Sequence, residues 1–336
     1  MNMPTPPTPL PPHIPQALRA CFSAQRDAFQ RQRNPGLEQR RADLRALHRL
    51  LVDNRQALVD AVNRDYGCRS RFETLMTELL QGQEAALDAI RQLPRWMKRQ
   101  RRPLDITQYP LARAFVQPQP LGVVGIVVPW NFPIAMAVQP MIGALAAGNR
   151  VMVKMSENSA QLAQLLQQLL PKYFPADKVS LFADADADAG GQGQSIGPLF
   201  TQLPFDHLFF TGSPQTGKAV MANAAANLTP VTLELGGKSP ALVGQHAPMA
   251  QVATRLATGK LYNAGQTCIA PDYVLVPRSR RDELVAALRS EVGARYPSLD
   301  GNRDYTRIIN QAQYQRLSGY LDDARARRLE VVELAP

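Results

Sequence analysis

Apolar residues recur at helical spacing early in the chain. Leu44, Leu47, Leu51, Leu58 and Val62 line one stripe, with Arg and Asp on the other faces. Such a period marks amphipathic helices that cover another element and do no chemistry themselves. Residues 15 to roughly 102 therefore read as a helical layer. The period is lost in "DITQYPLARAFVQPQP", Asp105 to Pro120, whose prolines suit an edge ribbon or an arm.

The texture changes at Leu121. "GVVGIVVP" is a short valine-rich run bounded by turn residues, as a strand buried on both faces of a parallel sheet should be. "RVMVKM" (Arg150 to Met155), "KVSLFAD" (Lys178 to Asp184), "HLFFTG" (His207 to Gly212) and "TPVTLEL" (Thr229 to Leu235) follow, with helical stretches between. In "SAQLAQLLQQLLP", Leu162, Leu165, Leu166, Leu169 and Leu170 share a face and Pro171 stops the helix. "PIAMAVQPMIGALAAGN" opens on Pro133 and closes at Gly148. Strand and helix alternate, which predicts an α/β fold: a doubly wound, mostly parallel, Rossmann-like sheet. A second α/β unit begins after Glu234. Its strands are expected at "PALVG", "YVLVP", "YTRIIN" and "LEVVEL", and its helix at "SRRDELVAALRSEV" with Ser279 as cap.

Composition narrows the class. A chain of 336 residues has room for two domains. No apolar run is long enough to cross a bilayer. The first residues, "MNMPTPPTPLPPHIP", have neither a basic start nor an apolar core, so 1–14 read as a flexible polyproline-like tail. Cys21, Cys68 and Cys268 are odd in number and far apart, which disfavours a disulfide framework or zinc site and suits the cytoplasm. His13, His48, His207 and His246 are scattered and read as structural or surface residues. The net charge of +10 is densest in "RWMKRQRR", Arg95 to Arg102. No nucleic-acid motif accompanies that run, so it reads as a solvated helix end.

Ligands of open α/β sheets bind at the carboxyl ends of strands, and several polar residues fall there. Trp130 and Asn131 follow the first strand, between Pro129 and Pro133. An asparagine there serves the turn, or holds a rigid amide donor for an oxyanion. Lys154 and Glu157 close the next strand, as a solvated loop or as a ribose site whose carboxylate repels a 2′-phosphate and favours NAD over NADP. Gly212 and Ser213 precede a helix; they cap it, or offer its free amides to a phosphate, while Gly217 lets that helix pack closely. Glu234 ends an apolar strand before Gly236 and Gly237. It is an edge-strand carboxylate facing water, or a buried one whose raised pKa makes it a base. Cys268, in the turn "AGQTC", is packing, half of a disulfide, or a nucleophile.

The order and spacing of "KMSE", "FTGS", "ELGGK" and "GQTC" resemble the aldehyde dehydrogenase superfamily over nearly the whole chain. "PLGVVGIVVPWNFP" and "GQTCIAPDYVLV" look most like its branch of class 3, fatty-aldehyde and bacterial coniferyl aldehyde enzymes. The resemblance implies a nucleotide-binding domain over 15–234 and a catalytic domain over 235–336. It implies Cys268 as nucleophile, Glu234 as general base and Asn131 as oxyanion donor. Lys154 and Glu157 would meet the adenosine ribose of NAD (or NADP), Gly212 and Ser213 its pyrophosphate, and Trp130 and Gly236 its nicotinamide end. The implied reaction oxidises an aromatic or medium-chain aldehyde to the acid through a thiohemiacetal and a thioester. The implied partners are the aldehyde and, for a full-length form, a second copy in a homodimer, with neither nucleic acid nor membrane. The family's Glu-x-Phe-Gly-Pro segment after the thiol has no counterpart here. The chain therefore reads as the N-terminal two-thirds of such an enzyme, with an incomplete catalytic domain. Three readings stay open: an active dehydrogenase, a remnant that at most binds dinucleotide, and CoA-dependent acylation through the same thioester.

Overall fold

The computed structural model describes residues 10–105, 107–184 and 195–335. Helices α1 (Gln16–Arg31), α2 (Leu37–Asp53) and α3 (Arg55–Tyr66) come first. Helix α4 (Arg71–Thr74) then runs through a π-helical turn, Leu75–Leu80, into α5 (Gln81–Trp96). The stripe does what its spacing requires: Leu44, Leu47, Leu51, Leu58 and Val62 are all buried in one core with the inner face of α5. The helical layer is shorter than expected. It stops at Trp96, and Gln100–Arg102 form strand β1, paired antiparallel with β2 (Ala114–Val116). The basic run is thus partly an arm strand, and the Arg99 guanidinium lies 4.4 Å from the Phe115 ring centroid.

The central sheet contains β3 (Val123–Val127), β4 (Arg150–Lys154), β5 (Val179–Phe182), β6 (His207–Thr211) and β7 (Val231–Glu234). All four pairings are parallel, in the order β5-β4-β3-β6-β7. The order reverses at β3, so a crevice opens between the carboxyl ends of β3 and β6, where dinucleotides sit in doubly wound sheets. Helices α6 (Pro133–Ala147), α7 (Ala160–Leu169), α8 (Ile196–Thr201) and α9 (Pro214–Ala225) fill the crossovers. Pro133 sits in the first turn of α6, and Gly148 closes it with φ 88°, a left-handed conformation that glycine adopts without steric cost. A second core packs Phe22, Phe200, Phe205 and Phe210 on the other face of the sheet. Ile14 is buried in that core too, so the tail expected over 1–14 ends before it; residues 1–9 lie outside those described.

Beyond Glu234, β8 (Ser239–Leu242) pairs in parallel with β9 (Pro271–Leu275), and α10 (Met249–Leu261) and α11 (Arg281–Arg295) pack with them. Helix α12 (Gln311–Ala326) follows. Two expectations fail here. "YTRIIN" and "LEVVEL" form no strand: Thr306 and Ile309 are used in docking to the helical layer, and Leu329 and Val331 are exposed. Ser279 is not the cap of α11; it lies in a short turn, Arg278–Arg280, and Arg280 occupies the cap position and pairs with Glu283.

Candidate active site

The turn after β3 carries Trp130, which packs against the main core, and Asn131. Its backbone is held from below. The Asn131 carbonyl accepts from Arg69 Nη1 at 2.7 Å, from Asn263 Nδ2 at 3.0 Å and from the Tyr66 hydroxyl at 3.1 Å. Tyr66 also reaches the Trp130 carbonyl at 3.3 Å. Asn131 then turns its own amide outward: Nδ2 donates to the Gln266 carbonyl at 3.0 Å, two residues before Cys268.

The segment delivering Cys268 is strained. Asn263, Ala264 and Gly265 take φ of 50°, 52° and 75°, and of these the alanine is the least suited to it. A left-handed non-glycine residue costs about 1–2 kcal/mol. The turn is pinned against relaxation. The Asn263 amide N–H donates to Glu73 Oε1 at 3.0 Å, and Gln266 Nε2 donates to the Asn263 and Arg307 carbonyls. The Thr306 hydroxyl donates to the other oxygen of Glu73 at 2.7 Å. Burial pushes the Glu73 carboxyl up, opposed by these donors.

Cys268 is free and exposed, which removes the packing and disulfide readings. It forms part of two cavities. One, of about 610 Å³, runs along α6 past Phe209 and Thr211 to Glu234. The other, of about 540 Å³, is walled by Phe132, Tyr262 and Ile269. Met136 and Gln139 of α6 belong to both. The "ELGG" turn also meets the cysteine. A Cβ on Gly237 would stand 2.8 Å from the Cys268 carbonyl oxygen, so the close approach requires glycine. That approach falls on Gly237, while an added Cβ on Gly236, expected at the nicotinamide end, would meet nothing within 4 Å.

The other predicted residues fall as follows. Glu234 ends β7 level with Thr211 of β6, and the Gly212 N–H donates to its carbonyl. Glu234 is exposed on an edge strand, which is the first of its two readings and removes the buried one: no strand covers the outer side of β7 among the described residues. The Thr211 hydroxyl is buried beside it with no hydrogen-bond partner among the described residues. Ser213 caps α9, its hydroxyl accepting from the Thr216 N–H at 3.1 Å. Gly217 lies against Leu235 and Phe210, where an added Cβ would come within 3.1 Å of Leu235. Lys154 ends β4, buried, with its ammonium 3.3 Å from Asp184 and 3.9 Å from Glu157. Glu234 and Cys268 thus line one cavity, Asn131 meets the cysteine turn at the Gln266 carbonyl, and Lys154 and Glu157 stand at the end of β4.

The family's sequence profile, Aldehyde dehydrogenase family, matches residues 14–333. The chain belongs to the aldehyde dehydrogenase family. A "Probable coniferyl aldehyde dehydrogenase" of Pseudomonas aeruginosa is 48% identical over 317 residues, covering 94% of this chain and 65% of that protein. A "Coniferyl aldehyde dehydrogenase" of a Pseudomonas species is 42% identical, covering 96% of this chain and 64% of that protein. This member of the aldehyde dehydrogenase family therefore spans slightly less than two thirds of the length of those relatives. Among solved structures, a substrate-bound Staphylococcus aureus AldH superposes with a TM-score of 0.84 at 31% identity, over 92% of this chain and 66% of that one. A Mycobacterium tuberculosis aldehyde dehydrogenase complexed with NAD+ superposes with a TM-score of 0.79 at 26% identity, over 92% of this chain and 62% of that one.

Sequence reasoning missed Tyr66, Arg69, Glu73, Glu78 and Asn263, which hold the two turns together. A signal existed for Glu78. It interrupts the leucines of "LMTELL", where a charge facing the core needs a partner. Asn-Ala-Gly before the cysteine was a second signal, since asparagine and glycine tolerate left-handed backbone.

Proposed function

We propose that this chain carries the reaction centre of an NAD-dependent aldehyde dehydrogenase that oxidises an aromatic or medium-chain aldehyde to its acid. One observation carries the reading: an exposed, free Cys268 stands between two cavities, one leading to Glu234 and the other walled by Phe132 and Tyr262. The apolar, partly aromatic wall suits a ring such as that of coniferyl aldehyde, the substrate in the names of the Pseudomonas relatives.

The residues at the switch point fit a dinucleotide. Thr211 lines the first cavity beside Glu234, its hydroxyl buried with no hydrogen-bond partner among the described residues. The α9 amides behind Ser213 suit a pyrophosphate, and Lys154 with Glu157 a ribose. Two carboxylates, Asp184 and Glu157, already face the Lys154 ammonium, so a 2′-phosphate would meet net negative charge. That favours NAD over NADP, consistent with the NAD+ complex of the mycobacterial enzyme. Trp130 and Gly236 are assigned to the nicotinamide end on the strength of the family resemblance.

Chemistry begins with the Cys268 thiolate adding to the aldehyde carbon. The resulting alkoxide accepts from the second N–H of the Asn131 amide, the first being committed to Gln266, and from the backbone N–H of Cys268. Bound NAD supplies the acceptor for the hydride that converts the thiohemiacetal to a thioester. Glu234 then takes a proton from water, which attacks the thioester and frees the acid. A thiol suits both halves, attacking readily near neutral pH and leaving readily from the acyl stage.

The test is NADH formation, followed by its ultraviolet absorbance, with coniferyl aldehyde or hexanal on the 336-residue chain. Turnover is expected, and Cys268→Ser should abolish it while NAD affinity stays within about twofold of wild type. Measurable NAD binding without any NADH from the wild-type chain would leave only a dinucleotide-binding remnant.

A further inference from the structure

The largest fully buried side chain among the described residues is that of Arg69, between α3 and α4 and far in sequence from Asn131, Glu234 and Cys268. Arg69 and Glu78 form an ion pair at 3.2 Å with both side chains 0% exposed. Such a pair is often no more stabilising than well-packed hydrophobic residues, so stability does not explain it. Its contacts do. Arg69 Nη1 donates to the Asn131 carbonyl at 2.7 Å while Nη2 donates to Glu78 Oε1. The other Glu78 oxygen accepts from the Ile134 and Ala135 N–H groups at 2.7 and 3.2 Å, the free amides at the start of α6. The Tyr66 and Phe132 rings stand 4.8 and 5.0 Å from the guanidinium and fix its plane. The π-helical turn Leu75–Leu80 contains Glu78, and such turns are frequent at functional sites.

We infer that Arg69, locked by Glu78, is a positioning residue for the Asn131 amide. It fixes the Asn131 backbone on one side and the start of α6 on the other, so the side chain leaves the turn in one direction, toward Gln266 and Cys268. This rests on the oxyanion role proposed for Asn131. The rigid planar fork is what the site uses: a lysine reaches either the carbonyl or the carboxylate, but cannot bridge both in one plane.

The test reads the first burst of p-nitrophenolate from p-nitrophenyl acetate, which needs the thiol and the oxyanion donor but no dinucleotide. Arg69→Met should slow the burst about 100-fold, as losing one oxyanion donor does, with KM within about threefold. Arg69→Lys should restore part of the rate. Because Arg69 acts through Asn131, the double variant with Asn131→Ala should be within about twofold of Asn131→Ala alone. Multiplying losses in the double variant, or a wild-type burst in a folded Arg69→Met protein, would overturn the inference. If Arg69→Met does not fold, Arg69→Lys is read in its place against the same criteria. If the wild-type chain itself gives no burst, the functional reading fails and hydrogen exchange decides the clamp. Exchange over residues 130–135 at least tenfold faster in Arg69→Lys, with β3 and β4 unchanged, supports it; unchanged exchange over 130–135 overturns it.

Discussion

Gly237→Ala isolates the contact between the two turns of the site. Gly237 is not among the positive-φ residues, so alanine introduces no backbone strain and the added methyl acts alone. Built on the existing backbone, that methyl carbon stands 2.8 Å from the Cys268 carbonyl oxygen. An ordinary carbon contact is about 3.5 Å, so one turn must retreat by roughly 0.7 Å. The cysteine turn is pinned by Glu73, Gln266 and the Asn131 amide, yet the clash falls on the backbone of its central residue. A misplacement of about 1 Å can cost 100-fold in rate, so a shift of this size should lower kcat roughly tenfold or more. Overpacking should also cost about 1–3 kcal/mol of stability. Steady-state NADH formation with coniferyl aldehyde reads the first quantity and urea unfolding the second. Wild-type turnover in a fully folded Gly237→Ala protein would refute the claim that this approach sets the position of the thiol.

Two more outcomes follow from the geometry. Glu234→Gln should leave the first turnover intact and stall the second half, so that intact mass spectrometry after aldehyde and NAD shows an acyl adduct on Cys268; rapid steady turnover with no adduct would remove Glu234 as the base. Burial pushes the Tyr66 phenol up from 10.0 to about 12, so the unfolded chain loses that proton first. The stability this contributes is complete below about pH 10 and is lost as pH rises toward 12, amounting to about 2.7 kcal/mol at about 1.36 per unit. Urea unfolding of wild type and Tyr66→Phe at about pH 9 and pH 11.5 should therefore converge at the higher pH; parallel curves would contradict it.

The sheet was legible because its strands are short apolar runs bounded by turn residues, with the central β3 and β4 buried along nearly their whole length; β3 to β7 fall within the expected segments. The carboxyl ends of those strands were marked too, since polar residues follow the runs; the strand order that places the switch point was not. The region beyond Glu234 was not. "LEVVEL" has the composition of a strand, but pairing depends on a neighbour that a local pattern does not specify. The exposure of Glu234 stayed open for the same reason: apolar neighbours in sequence say nothing about whether a strand lies at the sheet edge. Arg69 and Glu78 were invisible for another reason. Their roles come from meeting a turn some sixty residues away, and no motif spacing records that.

That one sulfur borders two chambers has a practical corollary. A molecule lodged in either chamber changes access to the same atom, so covalent labelling of Cys268 reports occupancy of both. A slow alkylating probe, titrated against nucleotide or aldehyde analogues separately and then together, would show whether the chambers fill independently or compete for the space around the thiol.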